Sequence, residues 1–272
     1  MIFDRRSLLR FGAFGLGAAT AGCDRVDASP RGQDALGFGD WLTYRTQRLL
    51  LGNSLAQEFP ESAISPHFRP NGSVDPKDPD YVALAKNKFV DWRLKVGGLV
   101  EKPLALSLAD IRALPARTQI TRHDCVEGWS CIGKWTGTQL SHVLDAAGVK
   151  KEARFVLFHC ADSMDMNSLD STNASDSQKA ASSGGGANSS RYYETIDFVD
   201  ARHPQTILAY EMNDATLTIP YGAPLRLRVE RQLGYKMPKY LMGIELIRDY
   251  ANIRGGHGGY WEDQGYDWFA GT

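Results

Sequence analysis

Apolar and polar positions alternate with period two over Trp92-Arg93-Leu94-Lys95-Val96, the pattern of a half-buried strand. Thr206 to Glu211 and Leu241 to Ile247 also read as strands. In Leu225 to Val229, the residues Leu225, Leu227 and Val229 alternate with Arg226, Arg228 and Glu230. That spacing predicts a strand with Arg228 on its solvated face. Arg154 to Cys160 is a continuous apolar run, the mark of a buried strand. Asn213-Asp214 marks a turn. Three segments carry helical signals. Asp40 to Leu51 has Asp40 as its cap and Gly52 as its stop, and Ser107 caps a short helix. Thr138 to Ala147 is amphipathic and ends at Gly148. Short strands interspersed with short helices predict an α+β domain.

The same pattern divides the chain. Residues 23–59 combine a Gly- and Pro-rich linker with the Asp40 helix, and 60–250 form the main domain. Residues 60–80 hold five prolines and read as an irregular ordered loop. Residues 167–190 contain eight serines and one large apolar residue, Leu169, too little to offset the entropy of ordering. They read as a disordered insertion inside the domain. Residues 251–272 form an aromatic C-terminal tail.

Residues 1–22 read as an export signal. Arg5, Arg6 and Arg10 precede the apolar run Phe11 to Ala19, which is too short for a membrane span of about 20 residues. Arg5-Arg6 followed by Ser7-Leu8-Leu9 resembles a twin-arginine signal, which places the mature protein in the periplasm. Two readings of the junction stay open: cleavage after Ala21, or lipidation of Cys23, the one membrane contact then expected. The net charge is −1, and loss of residues 1–22 makes it −3. A balance of this kind speaks against nucleic acid as a partner.

The chemistry centres on RHDCVEGWSCIGKW, residues 122–135. Cys125 has Arg122, His123 and Glu127 as neighbours, the surroundings that favour a thiolate. With Cys131 and Cys160 it makes an odd set, and no Cys-x-x-Cys pair occurs. Four roles for Cys125 stay open on local sequence. They are a buried thiol, a Cys-His nucleophile, a zinc site with His123, His159 and Cys160, and a soft transition-metal ligand. A single protein thiolate suffices for the last only if a cofactor supplies other ligands. Five cations, Arg226, Arg228, Arg231, Lys236 and Lys239, fall within fourteen residues. Arg226 and Lys239 stand beside turn residues and are the better anion candidates.

Four pieces, in order over most of 60–250, carry a resemblance: SPHFRPNGSVDP, WRLKVGGLVEKPLALSLADIRALP, DCVEGWS with GKWTG, and YGAPLRLRVERQLGYKMPKY. Together they resemble the sulfite-oxidase-fold molybdopterin-dependent oxidoreductases, in the branch of the periplasmic protein-methionine-sulfoxide reductase catalytic subunits. The resemblance implies mixed sheets with short helices and a molybdenum–molybdopterin cofactor. It implies that Cys125 is the metal ligand and that Glu127 acts beside it. It assigns cofactor contacts to His67, Phe68, Cys160, Tyr221, Arg226, Met237, Pro238 and Lys239. Tyr221 departs from the His or Asn common in the family, and Cys160 replaces a more polar residue. The implied reaction is oxygen-atom transfer, in the direction of sulfoxide reduction, on a small-molecule or protein-bound substrate. No iron–sulfur cysteine set and no Cys-x-x-Cys-His occurs, so electrons are expected from a cytochrome b-type membrane subunit or a soluble cytochrome. The alternatives are a sulfite-oxidising enzyme of the same fold and a non-catalytic exported metal-binding lipoprotein.

Overall fold

The computed structural model describes residues 30–52, 54–164 and 190–272. The export signal, Cys23 and residues 167–189 of the insertion lie outside them. The chain divides into two compact units, Met1–Gly52 and Asn53–Thr272.

In the first unit, helix α1 spans Pro30–Leu51, starting well before the predicted Asp40. Pro30 opens it, because a proline at the first helical position gives up no N–H that the helix uses. Asp40 therefore lies inside the helix and caps nothing. Among the described residues no helix is long and apolar enough to cross a membrane.

The second unit holds two five-stranded sheets. The first has the order β2-β1-β10-β5-β6: β1 is Leu94–Gly98, β2 Leu104–Leu106, β5 Phe155–Ser163, β6 Arg191–Asp197 and β10 Leu241–Ile247. It is mixed, since β1 runs parallel to β10 with Lys95 opposite Gly243 while its other pairs are antiparallel. The second sheet joins β3 (Ala116–Asp124), β4 (Ser130–Gln139), β7 (Ile207–Met212) and β8 (Ala215–Thr216), with β9 (Arg226–Arg228) on β7. Two sheets with few short helices match the expected fold.

The apolar pattern explains the well-read elements. On β1 and the residue pair before it, Trp92, Leu94 and Val96 are buried while Arg93 and Lys95 face out. Helix α2 is Pro79–Lys86, and Ser107 caps α3 (Leu108–Ala113) in a full capping box with Asp110. Helix α4 (Leu140–Ala147) buries Leu140, Val143, Leu144 and Ala147, one face at helical spacing. It ends at Gly148, which adopts a φ of 67°. These side chains join Val156, Phe158, Ile244 and Leu246 in one core. Full burial of a Leu or Val contributes about 1.5–3 kcal/mol. Asn213 and Asp214, both at positive φ, form the turn between β7 and β8.

Two findings depart from the pattern. Arg226, Leu227 and Arg228 are all buried, so Arg228 does not face solvent. Its charge is held by Glu230, also buried, at 2.6 Å. Second, residues 54–59 pack with the domain: Phe59 donates its N–H to Ile120 and Gln205 donates its side-chain amide to the carbonyl of Ala56.

Candidate active site

Cys125 stands at the tip of the β3–β4 hairpin. The ladder runs to Asp124 opposite Ser130, and the chain then turns through Cys125 to Trp129. The Cys125 N–H donates to the Trp129 carbonyl at 3.0 Å, and Gly128 donates back to Cys125 at 3.0 Å. Gly128 takes a φ of 84°, a conformation that glycine adopts without steric cost. The thiol is half-buried.

The neighbours expected to ionise it do not. Burial pushes the Cys125 thiol up; the Glu127 amide pulls it down and the Glu127 carboxylate pushes it up again. Arg122 is spent on Asp124 at 2.9 Å, and Glu127 pairs with Arg69 at 3.4 Å rather than with Arg122. His123 is buried, with Arg228 on its Nδ1. Burial, then Arg228, hold its pKa well below the usual histidine range. A metal ion would therefore have to displace the thiol proton itself.

Cys125 lines a cleft of about 470 Å³. Its walls come from the loop at Arg69–Val74, the hairpin tip, the segment Gly234–Lys239 and the C-terminal tail. Of the residues singled out from sequence, Cys125, Glu127, Met237, Pro238 and Lys239 meet here. Glu127 also accepts from Trp129 Nε1 at 2.9 Å, and Arg69 lies over the Trp129 ring at 5.4 Å. Trp129 is thus half-buried at the rim, whereas Trp135 is core.

Lys239 ties two walls together. Its Nζ donates to the carbonyls of Asn71 (2.6 Å), Ser73 and Pro220 (3.0 Å). Three acceptors around one amine require the ammonium form. Burial, then Arg226, pull its pKa down to about 7 while Asp162 opposes them.

The other singled-out residues are not on the cleft wall. His67, Phe68 and Tyr221 line a neighbouring hollow of about 250 Å³. Phe68 packs edge-on against Trp135 at 5.5 Å, and Tyr221 donates its hydroxyl to the Phe68 carbonyl at 2.8 Å. Cys160 is buried on β5, with its thiol pushed far up by burial. Arg226 is fully buried over the Trp135 ring at 4.9 Å. Its Nη1 donates to the Tyr221 carbonyl at 3.0 Å, but Nε and Nη2 have no hydrogen-bond partner among the described residues. Burial, then Arg228, pull it down to about 9. The zinc set does not assemble: His159 is exposed and pairs with Glu245, and no cluster of three metal-ligating residues occurs among the described residues.

The family described as oxidoreductase molybdopterin binding domain matches residues 81–253. The chain belongs to this family. It is an oxidoreductase of the sulfite-oxidase-type fold. A protein of Azospira oryzae named as a protein-methionine-sulfoxide reductase subunit, YedZ1, is 37% identical over 220 residues, covering 81% of this chain and 69% of the relative. The protein-methionine-sulfoxide reductase catalytic subunit MsrP of Campylobacter jejuni is 32% identical over 169 residues, with 62% and 53% covered. The chain thus spans about half to two thirds of these relatives. The sulfane dehydrogenase SoxCD of Paracoccus pantotrophus shares the fold, with a TM-score of 0.50 at 19% identity over 75% of this chain and 47% of that one.

The molybdopterin-binding domain carries residues that fit such a group. A half-buried thiol offers a soft ligand on the cleft wall. Arg226, off the cleft wall, keeps two buried guanidinium nitrogens, Nε and Nη2, without hydrogen-bond partners among the described residues, an arrangement that costs about 1–3 kcal/mol per group until an anion meets them. Sequence reasoning missed Arg69, Asp162, Tyr235, Trp261 and Tyr266 on this wall. Arg69 sits one residue beyond the singled-out His67-Phe68 pair, the nearest thing to a signal.

Proposed function

We propose that the chain is a periplasmic molybdenum–molybdopterin oxidoreductase that removes the oxygen atom from sulfoxides and draws electrons from a separate haem subunit. The observation that carries this reading is the Cys125 thiol on the wall of a ligand-sized cleft together with Met237, Pro238 and Lys239. When bound, the cofactor supplies two-electron redox chemistry and exchanges the oxygen atom. The chain supplies the rest. Cys125 holds the metal as thiolate, with the Glu127 and Val126 amides favouring that form. Arg226 and Lys239 set a positive field for an anionic pterin phosphate. Glu127, clasped by Arg69 and Trp129, stands beside the ligand and keeps the hairpin tip in one shape.

The cleft favours a neutral substrate over a dianion such as sulfite. Of its cations, Arg69 is paired with Glu127 and Lys239 is committed to three carbonyls. Around it Val74, Val126 and Tyr266 are exposed apolar side chains. Two relatives carry methionine-sulfoxide reductase in their names, which supports a sulfoxide, free or within a protein. Both are named as subunits, which supports a cytochrome b-type membrane partner or a soluble cytochrome. Arg5-Arg6 supports export by the twin-arginine route.

Elemental analysis of protein from a molybdenum-sufficient host tests the reading. About one molybdenum per chain in the wild type, and loss of metal signal and sulfoxide reduction in Cys125→Ser, is the expected result. Zinc or no metal in the wild type would overturn it.

A further inference from the structure

Removal of oxygen from a sulfoxide takes two electrons and two protons and yields a thioether and water. On that reading of the cleft, a proton must be held near the departing oxygen. Two carboxylates line the wall, Glu127 and Asp162. Glu127 is exposed and ion-paired with Arg69. Asp162 is buried, and its Oδ1 has no hydrogen-bond partner among the described residues.

The fold puts Asp162 there by a register shift. The β5–β6 ladder breaks between His159 and Ser163. Asp162 lies within that break, on a strand covered on both faces, where Val156–Phe158 and Cys160–Asp162 are each buried in succession. Bulges of this kind re-aim side chains beside active sites. The titratable groups that face Asp162 are Lys239, Tyr192 on β6, Tyr240 before β10, Tyr81 on the helix at Pro79–Lys86, and Cys160 on its own strand. Lys239 is the one cation among them, and its three N–H groups are already on carbonyls. Burial raises the Asp162 carboxyl, Lys239 opposes in part, and the balance is about 7.

We propose that Asp162 holds and delivers one of the two protons to the oxygen leaving the sulfoxide. The S–O bond breaks, an O–H bond forms as the Asp162 Oδ–H bond breaks, and solvent supplies the second proton. The electron pair comes from the haem donor of the proposed reaction. The carboxylate regains its proton from water after each turnover.

Asp162→Asn keeps the shape and polarity but cannot titrate. Measured on molybdenum-loaded protein with methionine sulfoxide, kcat is expected to fall about 100-fold or more with KM within about twofold. The wild-type rate is expected to decline as pH rises through about 7, and the variant to lose that limb. Independently of turnover, difference infrared spectra of the wild type are expected to show a carboxylic acid C=O band lost between about pH 6 and about pH 8, absent in the variant. A variant with wild-type rate and pH limb overturns the proposal. So does a wild type with no such titrating carboxyl, or a variant that loses molybdenum, which would make Asp162 a cofactor-holding group. A loaded wild type that reduces no sulfoxide overturns the functional reading itself, a result distinct from all of these.

Discussion

Arg228 donates from Nη1 to Nδ1 of His123 at 3.0 Å, and both side chains are fully buried. The bond makes Nδ1 the acceptor, so the ring proton sits on Nε2. The same guanidinium clasps Glu230 through Nε at 2.9 Å and Nη2 at 2.6 Å, and lies 4.4 Å from the Trp135 ring centre. One arginine thereby fixes the orientation of the histidine two residues before Cys125.

Removing that arginine strands a buried carboxylate. Arg228→Met is expected to cost about 3–5 kcal/mol in urea unfolding, because Glu230 keeps its desolvation cost without its partner. Arg228→Met with Glu230→Leu is expected to recover much of the loss. A single variant with the wild-type midpoint would show that the pair contributes no stability.

Gly234 touches the same histidine from the cleft side. A Cβ there would overlap the His123 ring at Cε1 and Nε2. Gly234→Ala is expected to cost about 1–3 kcal/mol by overpacking and to lower molybdenum content. Thermal unfolding and metal analysis read the two effects separately. Unchanged values in both would mean that the ring moves aside freely.

Lys239→Met leaves the carbonyls of Asn71, Ser73 and Pro220 without their donor. Faster amide hydrogen exchange over residues 69–74 is expected, with a stability loss of about 1–3 kcal/mol for each acceptor left dry. Exchange rates equal to wild type would show that the loop holds itself.

A second buried cluster predicts a pH dependence. Lys236 sits between Glu194 and Glu262, all three fully buried. Burial, then Glu262, raise the Glu194 carboxyl well above its usual range, with Lys236 opposing. A group whose folded pKa exceeds its unfolded value binds its proton more tightly when folded. Its contribution is therefore lost as pH rises above the ordinary carboxyl range of about 4.3. The melting temperature is expected to fall as pH rises from about 5 toward the alkaline end of the range, and Glu194→Gln to flatten that slope. Lys236→Met is expected to cost about 3–5 kcal/mol at the upper end. A variant slope equal to wild type would remove Glu194 from the account.

The legible parts of the fold are those whose inner face is apolar. Trp92, Leu94 and Val96 announce β1, and Leu140, Val143, Leu144 and Ala147 announce α4. Strand β3, which carries the motif, inverts the rule: Gln119, Thr121 and His123 are buried while Ile120 is only partly so. Its inner face is polar because it meets buried partners, as Gln119 does at Glu230 and His123 at Arg228. The same network buries Arg228 against the alternation of its strand. Cys125, Met237, Pro238 and Lys239 were legible in the site because short motifs name them. Asp162, Trp261 and Tyr266 arrive through a register shift and a returning tail, which leave no local pattern.

The parallel pairing of β1 with β10 has a kinetic consequence. Strand β10 is the last strand made, yet it sits third of five in its sheet, between β1 and β5. Lys95 must find Gly243, some 148 positions later. A ladder between such distant segments forms only after a long loop has closed, so sheets of this kind fold toward the millisecond-to-second range. Until residues 241–247 emerge, β1 and β5 each present an open edge, the surface on which chains stick to one another. Folding of the whole molybdopterin-binding domain therefore waits on seven residues near its end.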